Sequence, residues 1–120
     1  MLKPPPSSMD FLQAGLRAAS LRQAVIANNI ANLDTPGFRR QTVDFEKALS
    51  KAIASGDVSS VLASEAQIVQ PKSTPVDPTG NDVNLDMEVA ELLKNSNAYK
   101  TYLRMTAKVY RQMELATQVE

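Results

Sequence analysis

A chain of 120 residues has room for one small domain, and its thirteen basic and thirteen acidic side chains cancel, so no net field selects nucleic acid or an anionic membrane. Without cysteine or histidine there is no disulfide, no thiolate metal site, no thiol nucleophile and no ordinary general base for neutral pH. The composition is 43% hydrophobic but only 5% aromatic, which suits helix packing better than a sandwich core.

The leader Met1-Leu2-Lys3-Pro4-Pro5-Pro6 has no apolar core of a secretion signal, and residues 1–9 read as a flexible leader. No run of 18 apolar residues occurs, so a membrane span is not expected. A first helix is predicted from Ser8 or Asp10, both good N-caps, to about Leu33. Between Phe11 and Leu33 only Arg17 and Arg22 are ionised. Leu12, Leu16, Ala19, Gln23, Ile26, Ile30 and Leu33 step by four and three, a heptad seam for one partner helix. Ala14, Ala18, Leu21, Val25, Asn28 and Asn32 form a second seam, on nearly the opposite side at ~100° per residue. A helix apolar on most sides is normally covered on most sides. This points to assembly rather than catalysis.

Asn28, Asn29 and Asn32 lower helix propensity, because their amides compete for backbone bonds. They either help end the helix, or Asn28 and Asn32 lie on a packed seam and fix register between helices. Thr35 before Pro36 leaves the helical region, and Pro36-Gly37 suits the centre of a type II turn. A short helix is predicted over about 44–54, with Phe45, Leu49 and Ile53 on one side and Gly56 as terminator. Sixteen of the 28 residues from 55 to 82 are Gly, Pro, Ser, Thr, Asp or Asn, so this stretch reads as a long irregular loop, extended near Ala66 to Gln70.

The last helix, over 84–118, begins with the acids Asp86, Glu88 and Glu91 at the positive end of its dipole. Leu85, Val89, Leu92, Ser96, Tyr99 and Leu103 begin one unbroken heptad seam, and Tyr102, Met105 and Val109 belong to another. At ~1.5 Å per residue its length of about 51 Å exceeds the ~36 Å of the first helix, so it must overhang. The expected fold is all-α: a long antiparallel, coiled-coil-like hairpin of 10–34 on 84–118, joined by the segment 35–83. Leu16, Ile26, Leu92, Tyr99 and Leu103 are expected to hold the hairpin. Leu21, Val25, Asn28, Asn32, Tyr102, Met105 and Val109 are expected to face neighbouring subunits. Lys100, Arg104, Lys108 and Arg111 share one face, either solvated or set against an acidic partner or a water-filled wall of an assembly.

Asp44 with Glu46, and Asp82 with Asp86 and Glu88, are the available carboxylate groupings, and acids at helix starts follow from the dipole alone. No phosphate-binding glycine loop or calcium-loop spacing occurs, so neither enzyme activity, cofactor nor metal is expected.

The stretch Ala27-Asn28-Asn29-Ile30-Ala31-Asn32-Leu33-Asp34-Thr35-Pro36-Gly37-Phe38 resembles the N-terminal signature of bacterial flagellar rod, hook and filament-junction proteins. Gly80-Asn81-Asp82-Val83-Asn84-Leu85-Asp86-Met87-Glu88-Val89-Ala90, with Asn95-Ser96 and Tyr99, is similar to the C-terminal segment of a proximal member of the rod family. The resemblance implies a structural subunit of the basal-body rod that packs with its own copies and transmits torque. It further implies export through the flagellar type III channel without a cleaved signal, residence in the periplasmic rod, and neighbours among other rod proteins, a FliE-type base and the export gate. A cytoplasmic coiled-coil adaptor or export chaperone is the alternative.

Overall fold

The computed structural model describes residues 7–62 and 66–118, so Lys3 to Pro6 of the expected leader lie outside the described residues. In chain order the elements are α1 (Ser8–Ala31), β1 (Thr42–Asp44), α2 (Glu46–Ser55), α3 (Val58–Leu62), β2 (Gln67–Val69) and α4 (Leu85–Gln118). The two long helices form the expected antiparallel hairpin. Its register is visible in three contacts: Asn29 meets Glu88, Ala19 and Gln23 meet Asn95, and Gly15 meets Tyr102.

Helix α1 starts at Ser8, the earlier of the two starts expected and two residues inside the leader read over 1–9. Ser7 caps it: its hydroxyl accepts the Asp10 N–H at 3.3 Å, and the Asp10 carboxylate accepts the Ser7 N–H at 3.0 Å. This reciprocal box satisfies two otherwise orphaned donors. At the other end Asn32 is the C-cap, and its side-chain amide donates to the Asn28 carbonyl at 2.8 Å. The chain then turns at Thr35–Phe38, where the Phe38 N–H bonds the Thr35 carbonyl at 3.2 Å and Gly37 has φ +75°. That positive φ at the third residue is what a type II turn requires and what glycine supplies without strain.

The segment between the helices is more ordered than an irregular loop. β1 and β2 pair antiparallel, with Thr42 opposite Val69, Val43 opposite Ile68 and Asp44 opposite Gln67. The extended stretch expected near Ala66 to Gln70 is therefore a strand, while α3 is a helix within the stretch read as loop. Val61 of α3 is fully buried against α1, and α2 presents Ala52 and its N-cap residue Phe45 inward, while Ile53 stays 54% exposed.

This folded-back segment covers the second seam of α1. Ala14, Ala18 and Val25 form one buried cluster with Val43 and Phe45, and Leu21 and Leu49 pack against it. Arg22 seals the edge, its Nη2 donating to the Val43 carbonyl at 2.9 Å and to Glu46 Oε1 at 2.9 Å. α1 is thus sandwiched between α4 and the chain's own β-ribbon. The cover expected from a neighbouring subunit is supplied from within, because the turn at Pro36-Gly37 sends the chain back along the same helix.

Candidate functional site

The two segments with signature-like sequence fold onto each other and make one buried polar lock. Asn29, on the face of α1 between the two seams, is 0% exposed. Its amide Nδ2 donates to the Gln41 carbonyl at 2.8 Å, and its Oδ1 accepts the Gln41 N–H at 2.9 Å. A side-chain amide thus mimics a strand backbone, carrying both a donor and an acceptor, which a carboxylate cannot do. The same Nδ2 donates to Glu88 Oε2 at 3.1 Å. Arg40 donates its Nε to Glu88 Oε1 at 2.7 Å, with the two side chains 7% and 0% exposed. Each ion loses several kcal/mol of hydration on burial, and the Arg40 contact together with the Asn29 bond to the second Glu88 oxygen offsets that loss.

Asp82 is the second node. Its Oδ1 accepts the Arg40 N–H at 2.5 Å and its Oδ2 accepts Arg39 Nε at 3.0 Å. Burial alone would raise this carboxyl, but the Arg40 N–H and the Arg39 guanidinium outweigh it and hold it below the ordinary aspartate range. Asn81 donates from Nδ2 to the carbonyls of Asn32 and Thr35, both at 2.9 Å, and so satisfies carbonyls that the end of α1 leaves open. The Gly37 N–H bonds the Thr79 carbonyl at 2.9 Å, and a Cβ on Gly80 would sit 3.4 Å from the Gly37 Cα. The two glycine turns touch because neither carries a side chain.

Farther along α4, buried Asn95 donates to the Ala19 carbonyl at 2.9 Å and to Gln23 Oε1 at 3.1 Å. Gly15 lets the Tyr102 ring lie directly on the α1 backbone, since a Cβ there would come within 2.6 Å of the ring. The inward face of α4 therefore runs Glu88, Leu92, Asn95, Tyr102 and Val109, not along the more apolar seam expected to hold the hairpin.

The expected site residues distribute accordingly. Of the hairpin positions, Ile26 is buried and Leu16 and Leu92 are half-buried, but Tyr99 and Leu103 are on the surface, Leu103 at 45%. Of the positions expected to face neighbours, Val25 is buried inside the chain at 5%, Leu21 packs on its cluster, and Tyr102 and Val109 are half-buried in the hairpin. Met105 and Asn28 are exposed, and half-buried Asn32 ends the helix. Lys100, Arg104, Lys108 and Arg111 are all exposed. The α4 assignment rotates because the facing surface of α1 offers Asn29, Gln23 and an open backbone, which select polar partners over leucines.

Arg39, Arg40 and Asn81 had no role assigned from sequence, and Asp82 and Glu88 were assigned to the helix dipole. One signal was available: two adjacent arginines directly after an almost uncharged helix, with two acids six residues apart in the other signature segment. As for chemistry, both acids are engaged by arginine, and among the described residues no group of three acidic, histidine or cysteine side chains could hold a metal.

What remains open to a partner lies beside the hairpin. A groove of about 500 Å³ runs between α1 and α4, floored by Ala19, Ala24 and Ala27 and walled by Ser96, Tyr99 and Lys100. Leu93, Leu103 and Val89 extend the exposed apolar strip along α4.

The family model described as "Flagella basal body rod protein" matches residues 9–39. The flagellar basal body rod protein FlgB of Borreliella burgdorferi is 30% identical over 126 residues, covering 90% of this chain and 93% of its own. FlgB of Escherichia coli (strain K12) is 33% identical over 120 residues, covering 86% and 87%, and FlgB of Yersinia enterocolitica is 32% identical, covering 86% and 88%.

Proposed function

The chain belongs to the FlgB family of flagellar basal body rod proteins and is a structural subunit of that rod, not an enzyme, and we propose that it is held in the rod laterally, through the apolar groove between α1 and α4. Its neighbours there are copies of itself and other rod proteins, with a FliE-type base and the export gate below. It reaches the periplasm through the type III channel without a cleaved signal and transmits torque mechanically, through packing alone. The relatives named above carry rod names, and nothing in the fold favours the adaptor or chaperone reading.

The observation that supports this reading is the strip Val89, Leu93, Tyr99 and Leu103 beside an alanine-floored groove. Exposed apolar strips of this extent mark interaction surfaces. Small residues let a partner helix approach closely, and the burial of each large apolar side chain contributes about 1.5–3 kcal/mol. The test is Leu103→Asp, at a position already 45% exposed, so the isolated chain keeps its fold. Complementation of a deletion strain is scored by swimming and by immunoblot of purified basal bodies. Loss of the chain from basal bodies is expected, and wild-type incorporation would remove the groove from the interface.

A further inference from the structure

A separate cavity, of about 350 Å³, opens on the ribbon side of the hairpin, where α1, α4 and β1 meet. Buried Val25, Phe45, Arg40 and Asn95 form its floor, and exposed Glu46 and Lys94 stand at its mouth. Its volume is at the low end of the ~300–1,000 Å³ typical of ligand pockets and far above the ~30 Å³ share of one water. Two polar groups on the floor have bonding capacity that the protein does not use.

Asn95 is the first, and it is 3% exposed. Its Nδ2 donates to the Ala19 carbonyl and to Gln23 Oε1, residues that line the alanine-floored groove and not this cavity. Its Oδ1 is left toward the cavity, buried and without a hydrogen-bond partner among the described residues. Buried acceptors are almost always paired, so this one calls for a donor that the chain does not supply. Arg40 is the second. Its Nε bonds Glu88, while among the described residues its terminal nitrogens, which carry most of the guanidinium donors, make no bond. The charges around the cavity cancel. Arg22 is paired with Glu46 and Arg40 with Glu88, and Lys94 stands near Glu91 on α4. An ion of either sign would lose hydration here with no net opposite charge to receive it.

We propose that this cavity binds a primary carboxamide, the side chain of a glutamine or asparagine carried by an interacting protein. The amide N–H donates to Asn95 Oδ1, and the amide oxygen accepts from the terminal nitrogens of Arg40. A carboxamide is the small neutral group that holds both a donor and an acceptor in one plane. The half-buried Tyr102 ring lines the same cavity and offers that plane a flat face. The volume also exceeds one side-chain amide, which leaves room for the stretch of backbone that carries it. A polypeptide brings that backbone uncharged, whereas a free amino acid would have to dehydrate two charged ends. The proposal goes beyond the rod-subunit reading and does not depend on it, since the cavity lies within one chain.

The probe is N-acetylglutamine N-methylamide, titrated into the full-length chain and followed by nuclear magnetic resonance. Saturable binding with a Kd on the order of 1 mM is expected, the affinity a ligand of this size reaches at ordinary efficiency. The matched glutamate and lysine derivatives, and free glutamine, should each bind at least about tenfold more weakly, because a charge is buried or a donor loses its acceptor. Nuclear Overhauser contacts from the bound probe should reach the Tyr102 ring and the Gly15 α-protons, both in the cavity, and not Tyr99 or Tyr110. Ala98→Leu, at a half-buried residue of the cavity wall, should abolish those contacts. If that variant melts early by circular dichroism, the contacts on the wild-type chain decide alone. Equal or tighter binding of a charged derivative or of free glutamine would overturn the proposal, as would contacts to Tyr99 or Tyr110 in place of Tyr102. An absence of saturation well above the expected Kd would mean that the cavity holds only water, and would overturn it too. None of these outcomes alters the rod assignment, which is scored on basal bodies.

Discussion

Replacing Glu88 by alanine tests the lock at its centre. The carboxylate is completely buried and accepts two bonds, from Arg40 Nε and Asn29 Nδ2. Its loss leaves the Arg40 guanidinium, 7% exposed, without its counter-ion. Breaking one side of a buried pair costs about 3–5 kcal/mol. At ~0.05–0.15 kcal/mol per residue a chain of this length has about 6–18 kcal/mol in total, so the variant loses a large fraction of its stability. Glu88→Gln should also destabilise, though less, because one amide atom must be a donor: with oxygen toward Arg40, nitrogen faces the Asn29 donor. The decisive comparison is a cycle with Arg40→Met and Glu88→Met. Each single change strands one partner, while the double change removes both and leaves Asn29 bonded to Gln41. The double variant should therefore lie within ~2 kcal/mol of wild type, and the coupling between the two sites should exceed ~2 kcal/mol. Urea denaturation followed by helical circular dichroism measures all four proteins. Additive losses, or a Glu88→Ala cost below ~1 kcal/mol, would refute the claim that these charges stand only by each other.

Gly15→Ala should cost about 1–3 kcal/mol, since the new methyl meets the Tyr102 ring at 2.6 Å, and Tyr102→Leu in the same chain should recover part of the loss in urea melts. Val25→Asp should unfold the isolated chain instead of only blocking assembly, because the site is 5% exposed within the Val43 and Phe45 cluster; an unchanged dichroism melt would contradict that burial. Acid should destabilise the fold: burial would raise Asp82 and Glu46, but backbone bonds and Arg39 or Arg22 hold both below their ordinary values. Their contribution is complete above the unfolded value of about 4 and is lost as pH falls through the lowered folded values. The urea midpoint should therefore drop below about pH 4, and Asp82→Asn, which still accepts the Arg40 N–H, should show a shallower acid limb.

The hairpin was legible because its signals are local and repeated. Asp10, Asn32, Pro36-Gly37 and the heptads of both long helices each mark an element or its end, although the cap itself is Ser7 and not Ser8 or Asp10. What periodicity could not decide was the rotation of α4. Two seams of comparable spacing run along it, and ranking them by apolarity favoured Tyr99 and Leu103 over a face containing Glu88 and Asn95. That face turns inward because of Arg40 and Asn29, residues 48 and 59 positions away from Glu88, which no window along the chain brings together. The ribbon was missed for a similar reason: three-residue strands have almost no periodic signal, and their pairing across 25 residues depends on a tertiary cluster at Val43 and Phe45. Within the asparagine-rich end, Asn29 looked no different from its neighbours. Its position on the face between the two seams sets it apart, and that is helix geometry in three dimensions, not residue type.

The polar bonds that α1 makes to other elements lie between Ala19 and Asn32, and those of α4 to α1 between Glu88 and Asn95. Past Tyr102 no hydrogen bond joins the two helices among the described residues, and then α4 runs on beyond the start of α1. Mechanically the molecule is a cantilever. Its root cannot slip, because sliding by one helical turn, ~5.4 Å, would break the bonds of Asn29, Glu88 and Asn95 together. Its tip is a single helix without cover from α1. A load applied along such a subunit is borne rigidly at one end and accommodated by bending at the other, so identical chains can fit slightly different curvatures without any of them unlocking.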